Sequence, residues 1–365
     1  MIVKEISAAG TSIWLDDLSR AKLTDTGPHG LPYRITHDGV VGVTTNPSIF
    51  NAAISQGAEY AGTIVEMRDK SAAEIVTVLT TDDVRSACDL FTNVFTISNG
   101  IDGRVSIEVD PRSARNSEST ISEGKALWKL VDRPNLMIKV PATLECLPAI
   151  TELISRGISV NVTLIFSVER YVQVFDAFMQ GLENRLALGE EISDVTSVAS
   201  FFVSRIDTAI DALLKKSEST YAKELLGKAA IANAILAYEA FEEIAQTERW
   251  RNLQRKGARI QRPLWASTGV KDPAYEDTRY VLDLIAANTV NTMPQATLDA
   301  VIDHGSFKGD TITSHFATAH SIFARLGEIG VSVKEVTDFL EIDGVAKFSA
   351  AWMDLLQNVE KARTA

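Results

Sequence analysis

The 365-residue sequence is poor in the residues that build stapled or metal-centred sites. Its two cysteines, Cys88 and Cys146, make neither a disulfide framework nor a zinc site. The five histidines, His29, His37, His304, His315 and His320, never stand at H-x-x-x-H or H-E-x-x-H spacing, so no histidine metal centre is expected. No apolar run is long enough to span a bilayer. Residues 1–10 lack the apolar core of a signal peptide, so the expected compartment is the cytoplasm. Positive charge is also scarce. The formal net charge of −12 argues against a general binder of nucleic acid or of anionic membrane. An anionic substrate therefore requires a local cationic pocket. The acidic balance neither demands nor forbids a dimer. No Gly-x-Gly-x-x-Gly follows any strand candidate, which weakens a dinucleotide site, and neither cofactor nor metal is expected.

What is present is a regular alternation. Short β-rich runs fall at Ser12–Leu15, Val40–Thr44, Val105–Val109, Leu136–Val140, Ile158–Leu164, Val195–Val203, Arg262–Ser267 and Thr289–Thr292, each followed by helical sequence. Eight such units predict an α/β fold, a closed (β/α)₈ TIM barrel. Additional helices stand between strands two and three and at the C-terminus. An open doubly wound sheet is the alternative. Residues 1–365 read as a single barrel domain, with about 307–365 as a C-terminal helical extension.

Helix boundaries carry local signals. Residues 25–39, rich in Gly and Pro, read as loop with one short helix at most. Ser48 is expected to cap a helix starting near Ile49. Further helices are expected over 58–70, 72–79 and 82–98. Thr120 and Glu123 have capping-box spacing. A helix from 147 to 156 should stop at Gly157. Ser167 opens another, to about residue 188. Two more are expected over 207–216 and 221–246. Asp272-Pro273 starts a helix to about residue 287, and Ser332 opens one in the tail.

Strand periodicity of two divides the side chains. The apolar set, such as Val43, Ile107, Ile138 and Val162, faces the helices. The other set faces the barrel axis: Trp14 and Asp16, then Gly42, Thr44 and Asn46, then Ser106, Glu108 and Asp110. Met137 and Lys139, Ser159, Asn161 and Thr163, and Ser200 and Phe202 continue it. Asp16, Asn46, Glu108, Lys139, Asn161 and Thr163 thus converge at the C-terminal strand ends, where barrel active sites form. Lys139 lies inside the apolar run Leu136-Met-Ile-Lys-Val-Pro141. Burying an ammonium is costly unless it deprotonates or finds a partner. One reading is a lysine that snorkels to water or pairs structurally with Glu108. The other is an amine that attacks a ketone and forms a Schiff base. Six polar residues at one barrel end favour the second.

That chemistry assigns work to each neighbour. Losing water to form the iminium needs proton transfers, which suit Glu108 and Thr163. Asp16 suits the proton of the hydroxyl that becomes an aldehyde when the adjacent C–C bond breaks. Asn46 and Asn161 suit substrate hydroxyls. Arg205, after strand six, and Lys271, after strand seven, are candidate phosphate ligands. The alternative for both is a solvated surface cation.

Four segments resemble signature segments of the transaldolase family: Thr44-Thr-Asn-Pro-Ser48, Ser106-Ile-Glu-Val-Asp110, Met137-Ile-Lys139 and Asn161-Val-Thr-Leu-Ile-Phe-Ser167. Their order and spacing match too, and the resemblance runs from about residue 11 to 305. Trp265-Ala-Ser-Thr-Gly-Val-Lys271 and Asn288-Thr-Val-Asn-Thr-Met-Pro-Gln-Ala-Thr297 look like the longer bacterial and plant-type branch. The resemblance implies a (β/α)₈ barrel and a place in the pentose phosphate pathway. It implies transfer of dihydroxyacetone from sedoheptulose 7-phosphate to glyceraldehyde 3-phosphate. By motif position Lys139 is the Schiff-base lysine, Asp16 the acid/base carboxylate, and Glu108 and Thr163 the managers of a catalytic water. Thr44, Asn46, Asn161 and Ser200 match substrate contacts, and Arg205 a phosphate ligand. Shorter members carry Arg in the strand-seven loop, where this chain offers Lys271. Related fructose 6-phosphate aldolases carry Tyr where Phe202 stands, so a lyase is the neighbouring alternative. A non-covalent phosphosugar isomerase or binding barrel is the more distant one.

Overall fold

A computed structural model describes residues 2–364. Eight parallel strands close into a barrel in sequence order. They are β1 (Thr11–Asp16), β2 (Gly42–Thr44), β3 (Arg104–Glu108), β4 (Leu136–Pro141), β5 (Val160–Ile165), β6 (Ser197–Phe202), β7 (Arg262–Ala266) and β8 (Thr289–Met293). β8 pairs back onto β1, with Ser12 opposite Val290, so no edge is left open. The expected (β/α)₈ barrel is the fold, and the doubly wound alternative falls.

The strand phase follows from what each face meets. Ile13, Val43, Val105, Ile138 and Val162 are wholly buried, as a strand layer sandwiched by helices requires. Inside the barrel the wholly buried Trp14 packs against β2. Gly42 shows why glycine stands there: a Cβ on it would come within 2.6 Å of the Trp14 indole. Trp14 fills the space that a side chain at 42 would need.

Helix starts obey capping chemistry, with corrections to the expected sites. The helix Pro47–Gln56 is capped by Asn46, not Ser48, and Ile49 N–H donates to Asn46 Oδ1 at 3.0 Å. The helix Ser117–Val131 is capped by Asn116, so Thr120 and Glu123 lie inside it. Glu123 instead accepts from Asp110 N–H at 2.9 Å. The helices expected over 72–79 and 82–98 are one helix, Ala72–Leu90, followed by a short one, Thr92–Ile97. The stretch expected as a single helix over 221–246 breaks between Ala222–Leu225 and Ala229–Gln246, where Gly227 takes φ +67°. Beyond Asp272-Pro273 the chain makes turns, and only Arg279–Leu282 is helical. Residues 25–39 hold the short helix Leu31–Tyr33, which runs into a wide turn over Arg34–Asp38.

The tail forms two helices, Phe316–Glu328 and Val333–Thr364. The second, hereafter the C-terminal helix, runs along the helix Pro47–Gln56 and reaches the C-terminal end of β5. Its buried residues Val336, Leu340, Gly344, Phe348, Leu355 and Val359 recur at helical spacing and form one stripe. Among the described residues, no helix is long and apolar enough to cross a membrane.

Candidate active site

The strand ends bring the predicted residues together. Cα register places Glu108 opposite Lys139 and Lys139 opposite Asn161, while Asp16 stands opposite Thr44. Their side chains meet at the C-terminal mouth of the barrel, around a cavity of about 220 Å³. Asp16, Thr44, Asn46, Lys139, Thr163, Ser200, Phe202, Arg205 and Lys271 line it. Glu108 lies behind Lys139. Asn161 lies beneath the cavity, wholly buried, with its amide bonded to Ser106 Oγ at 3.0 Å and to Ser200 Oγ at 2.7 Å. It holds Ser200 in place rather than opening to the cavity. Asp110, expected to point inward, instead pairs with Arg112 outside the cavity.

Lys139 is 4% exposed, so snorkelling is not its solution. Its Nζ donates to the Thr45 carbonyl at 3.0 Å and to Glu108 Oε2 at 3.3 Å. Glu108 comes from the adjoining β3, and Thr45 lies just past the end of β2. The amine is therefore aimed rather than mobile.

The two carboxylates have separate environments. Burial pushes the Glu108 carboxyl up to about 7, and the Lys139 charge only partly offsets that rise. Asp16 keeps some solvent access through the cavity, yet the protein packed around it also holds its carboxyl above the usual range. Lys139 and the Thr44 hydroxyl, which donates to Asp16 Oδ1 at 2.6 Å, oppose that rise. Thr44 is in turn bonded to Thr292 at 2.7 Å, which fixes its rotamer. The adjacent Asp17 pairs with Lys22, so Asp16 alone faces the site.

Two buried oxygens, Glu108 Oε1 and Thr163 Oγ1, have no hydrogen-bond partner among the described residues. Buried polar atoms are nearly always satisfied. Both oxygens therefore have hydrogen-bonding capacity to offer a small polar group.

Arg205 supplies the positive end. Its guanidinium lies 5.2 Å from the Phe202 ring and 6.0 Å from the Phe348 ring. One of its nitrogens, Nη1, is buried and unpartnered among the described residues. Held by rings instead of a carboxylate, its donors stay free for an anion. Lys271 is exposed at the rim. The helix start expected beside it is absent, so it acts as a side chain alone.

Sequence reasoning missed Phe348. It lines the cavity from the C-terminal helix, with Lys139 Nζ 5.4 Å from its ring centroid. The only sequence signal was its place in the apolar stripe, which marks a buried face without saying what it covers. Thr45 was missed as well, because its carbonyl carries the contact to Lys139.

The family model for transaldolase/fructose-6-phosphate aldolase matches residues 13–359. A transaldolase of Mycolicibacterium smegmatis is 54% identical over 353 residues, covering 96% of this chain and 94% of that protein. Transaldolase 1 of Streptomyces avermitilis is 54% identical over 359 residues, 98% of this chain and 94% of its own length. A transaldolase of Thermobifida fusca is 51% identical over 359 residues, 98% of this chain and 97% of its own. With the barrel and the lysine-centred mouth already in place, the chain belongs to the transaldolase/fructose-6-phosphate aldolase family.

Proposed function

We propose that the protein is a transaldolase of the pentose phosphate pathway. It moves dihydroxyacetone from sedoheptulose 7-phosphate to glyceraldehyde 3-phosphate, giving erythrose 4-phosphate and fructose 6-phosphate. The observation that carries this reading is the buried Lys139 amine, hydrogen-bonded to Glu108 at 3.3 Å, in a cavity that also holds Asp16 and Arg205. We place the enzyme in the cytoplasm, with its sugar phosphates, and treat the chain as one barrel domain with residues 307–365 as its extension.

The steps follow from the positions. The Lys139 amine attacks the ketose carbonyl. Glu108, whose carboxyl sits at about 7, exchanges a proton at neutral pH at low cost. With Thr163 it relays protons to the departing hydroxyl, which leaves as water and gives the iminium. Asp16 takes the proton of the hydroxyl on the far carbon of the bond to be cut. That oxygen becomes the aldehyde of erythrose 4-phosphate, and the bonding electrons flow into the iminium to form an enamine. The enamine carbon then attacks the aldehyde of glyceraldehyde 3-phosphate. Asp16 returns its proton to the new alkoxide, and hydrolysis of the iminium frees fructose 6-phosphate. Asn46, Ser200 and Thr44 hold hydroxyls, and Arg205, with Lys271 at the rim, holds the phosphate.

Phe202 favours a transferase over a lyase. A phenol at that position has a proton to give to the enamine, whereas Phe202 has none and is packed on Phe166 with centroids 5.2 Å apart. The test is borohydride trapping. Enzyme, fructose 6-phosphate and reductant should leave a three- or six-carbon adduct on the Lys139 peptide by mass spectrometry. The Lys139→Ala variant should show neither adduct nor turnover. An unmodified Lys139 peptide in the active enzyme means a non-covalent isomerase or binding protein instead.

A further inference from the structure

The cavity has one wall that no barrel strand or adjoining loop provides. Phe348 comes from the C-terminal helix and is 6% exposed. Its ring stands 5.4 Å from Lys139 Nζ and 6.0 Å from the Arg205 guanidinium. It also stands 6.4 Å from the Phe202 ring, at an interplanar angle of 60°. The two rings form adjoining apolar sides of a cavity that also holds Asp16, Thr44, Lys139, Thr163 and Arg205.

The helix that carries Phe348 is tied down on both sides of it. Two turns earlier, Glu341 pairs with Arg170 at 3.3 Å, and Arg170 donates to the Ala142 carbonyl at 2.6 Å, three residues past Lys139. One turn earlier, Gly344 lies so close to Leu164 that an added Cβ would sit 3.1 Å from Leu164 Cδ2. Beyond Phe348, Asn358 donates to Asn51 at 2.9 Å and to Ser55 at 3.0 Å, on the helix that Asn46 caps. The ring is therefore fixed to the strand-four loop, to β5 and to the Asn46 helix together.

We infer that Phe348 is a positioning residue that keeps water from the enamine, and that it thereby sets the balance between transfer and release. The inference rests on the reading of Lys139 as the Schiff-base lysine. Release begins when a proton, the one that left the substrate hydroxyl or one from water, adds to the enamine carbon and restores an iminium. Water then adds to the iminium carbon, the C–N bond breaks, and dihydroxyacetone leaves with the amine restored. The water lost in forming the Schiff base is the water returned. The net reaction is fructose 6-phosphate to dihydroxyacetone and glyceraldehyde 3-phosphate. Water exclusion protects reactive intermediates of this kind. An aromatic wall offers no donor to that carbon, and its π-face tolerates the iminium charge.

The experiment uses the full-length enzyme with Phe348→Ala and Phe348→Leu. Dihydroxyacetone release from fructose 6-phosphate alone is measured beside transfer to erythrose 4-phosphate. Their ratio is internal to the active population, so partial loss of folded protein does not move it. The ratio should rise about tenfold or more in Phe348→Ala and less in Phe348→Leu, which keeps an apolar wall of smaller area. If the alanine variant does not fold, the leucine variant decides alone. Borohydride should still label Lys139 in both. An unchanged ratio in a folded variant with intact labelling overturns the inference. Absence of labelling in the unsubstituted enzyme overturns the Schiff-base reading instead.

Discussion

Replacing Glu108 by glutamine keeps the shape of the side chain and removes its charge. In the unfolded chain this carboxyl titrates near 4.5, and in the folded protein burial moves it to about 7. Between those values the folded state holds a proton that the unfolded state has lost. Stability therefore falls as pH rises from 4.5 to about 7, and the contribution is flat on either side. At about 1.4 kcal/mol per pH unit, passing from about pH 5 to about pH 8 costs the native enzyme roughly 2–3 kcal/mol through this group. Glu108→Gln has no such group. Urea denaturation at the two pH values should show the native protein losing that much more stability than the variant. The same change should slow iminium formation by ~10²–10⁴-fold, the usual scale of a lost proton-transfer group. Single-turnover borohydride trapping measures it, and the inflection near 7 in its pH profile should vanish with the carboxyl. A variant with native stability slope and native trapping rate would refute the assignment of that proton to Glu108.

Two further substitutions test the edges of the site. Arg205→Ala should lower kcat/KM for phosphorylated ketoses by roughly 10–100-fold, the worth of a hydrogen bond to a charged group, with little effect on unphosphorylated fructose. Lys271→Ala, at an exposed position, should cost only about fivefold and lose its effect in high salt; equal losses on both sugars would detach these cations from phosphate binding. Asn46→Asp separates the two duties of one residue. The carboxylate still accepts from Ile49 N–H, so thermal denaturation should shift stability by about 0.5 kcal/mol or less. It has no amide donor for a substrate hydroxyl, so turnover should fall, and unchanged kinetics would remove Asn46 from substrate contact.

The barrel was legible because its signal is repetitive. Each strand pairs an apolar outward set with an inward set, and a slip of one residue would bury the wrong set. The convergence of Asp16, Glu108, Lys139 and Thr163 follows directly from that phase. Local signals failed where a distant partner outbid them. Thr80-Thr-Asp-Asp83 looks like a helix start. In the fold, Thr80 and Thr81 return their hydroxyls to the Val76 and Thr77 carbonyls, at 2.9 and 2.7 Å. Asp83 is drawn inward by Arg20 at 3.0 Å and Tyr60 at 2.7 Å, so the helix runs straight through. Asp272 makes the local bond of a turn, accepting from Ala274 N–H at 3.0 Å. Residues 273 to 277 then present no buried face, and the turn has nothing to propagate against. Phe348 was beyond reach for another reason. Periodicity shows that a helix has a stripe, but the docking site of a 32-residue helix is a tertiary fact.

The same kink that breaks the barrel's register joins the tail to the chemistry. On β5 one extra residue intervenes between Val162 and Ile165 relative to β6. Leu164 absorbs it with φ +62°, a left-handed conformation that costs a leucine roughly 1–3 kcal/mol. The extra residue follows Thr163, which still lines the cavity with its hydroxyl unpartnered among the described residues. Leu164 meets Gly344 of the C-terminal helix one turn before Phe348. A regular β5 would return Leu164 to alternation and remove that seat. The strained residue therefore stands between two features: the Thr163 hydroxyl of the cavity that Lys139 also lines, and the helix whose ring lines the same cavity. The bulged strand thus carries both a cavity residue, Thr163, and the seat of the C-terminal helix, Leu164.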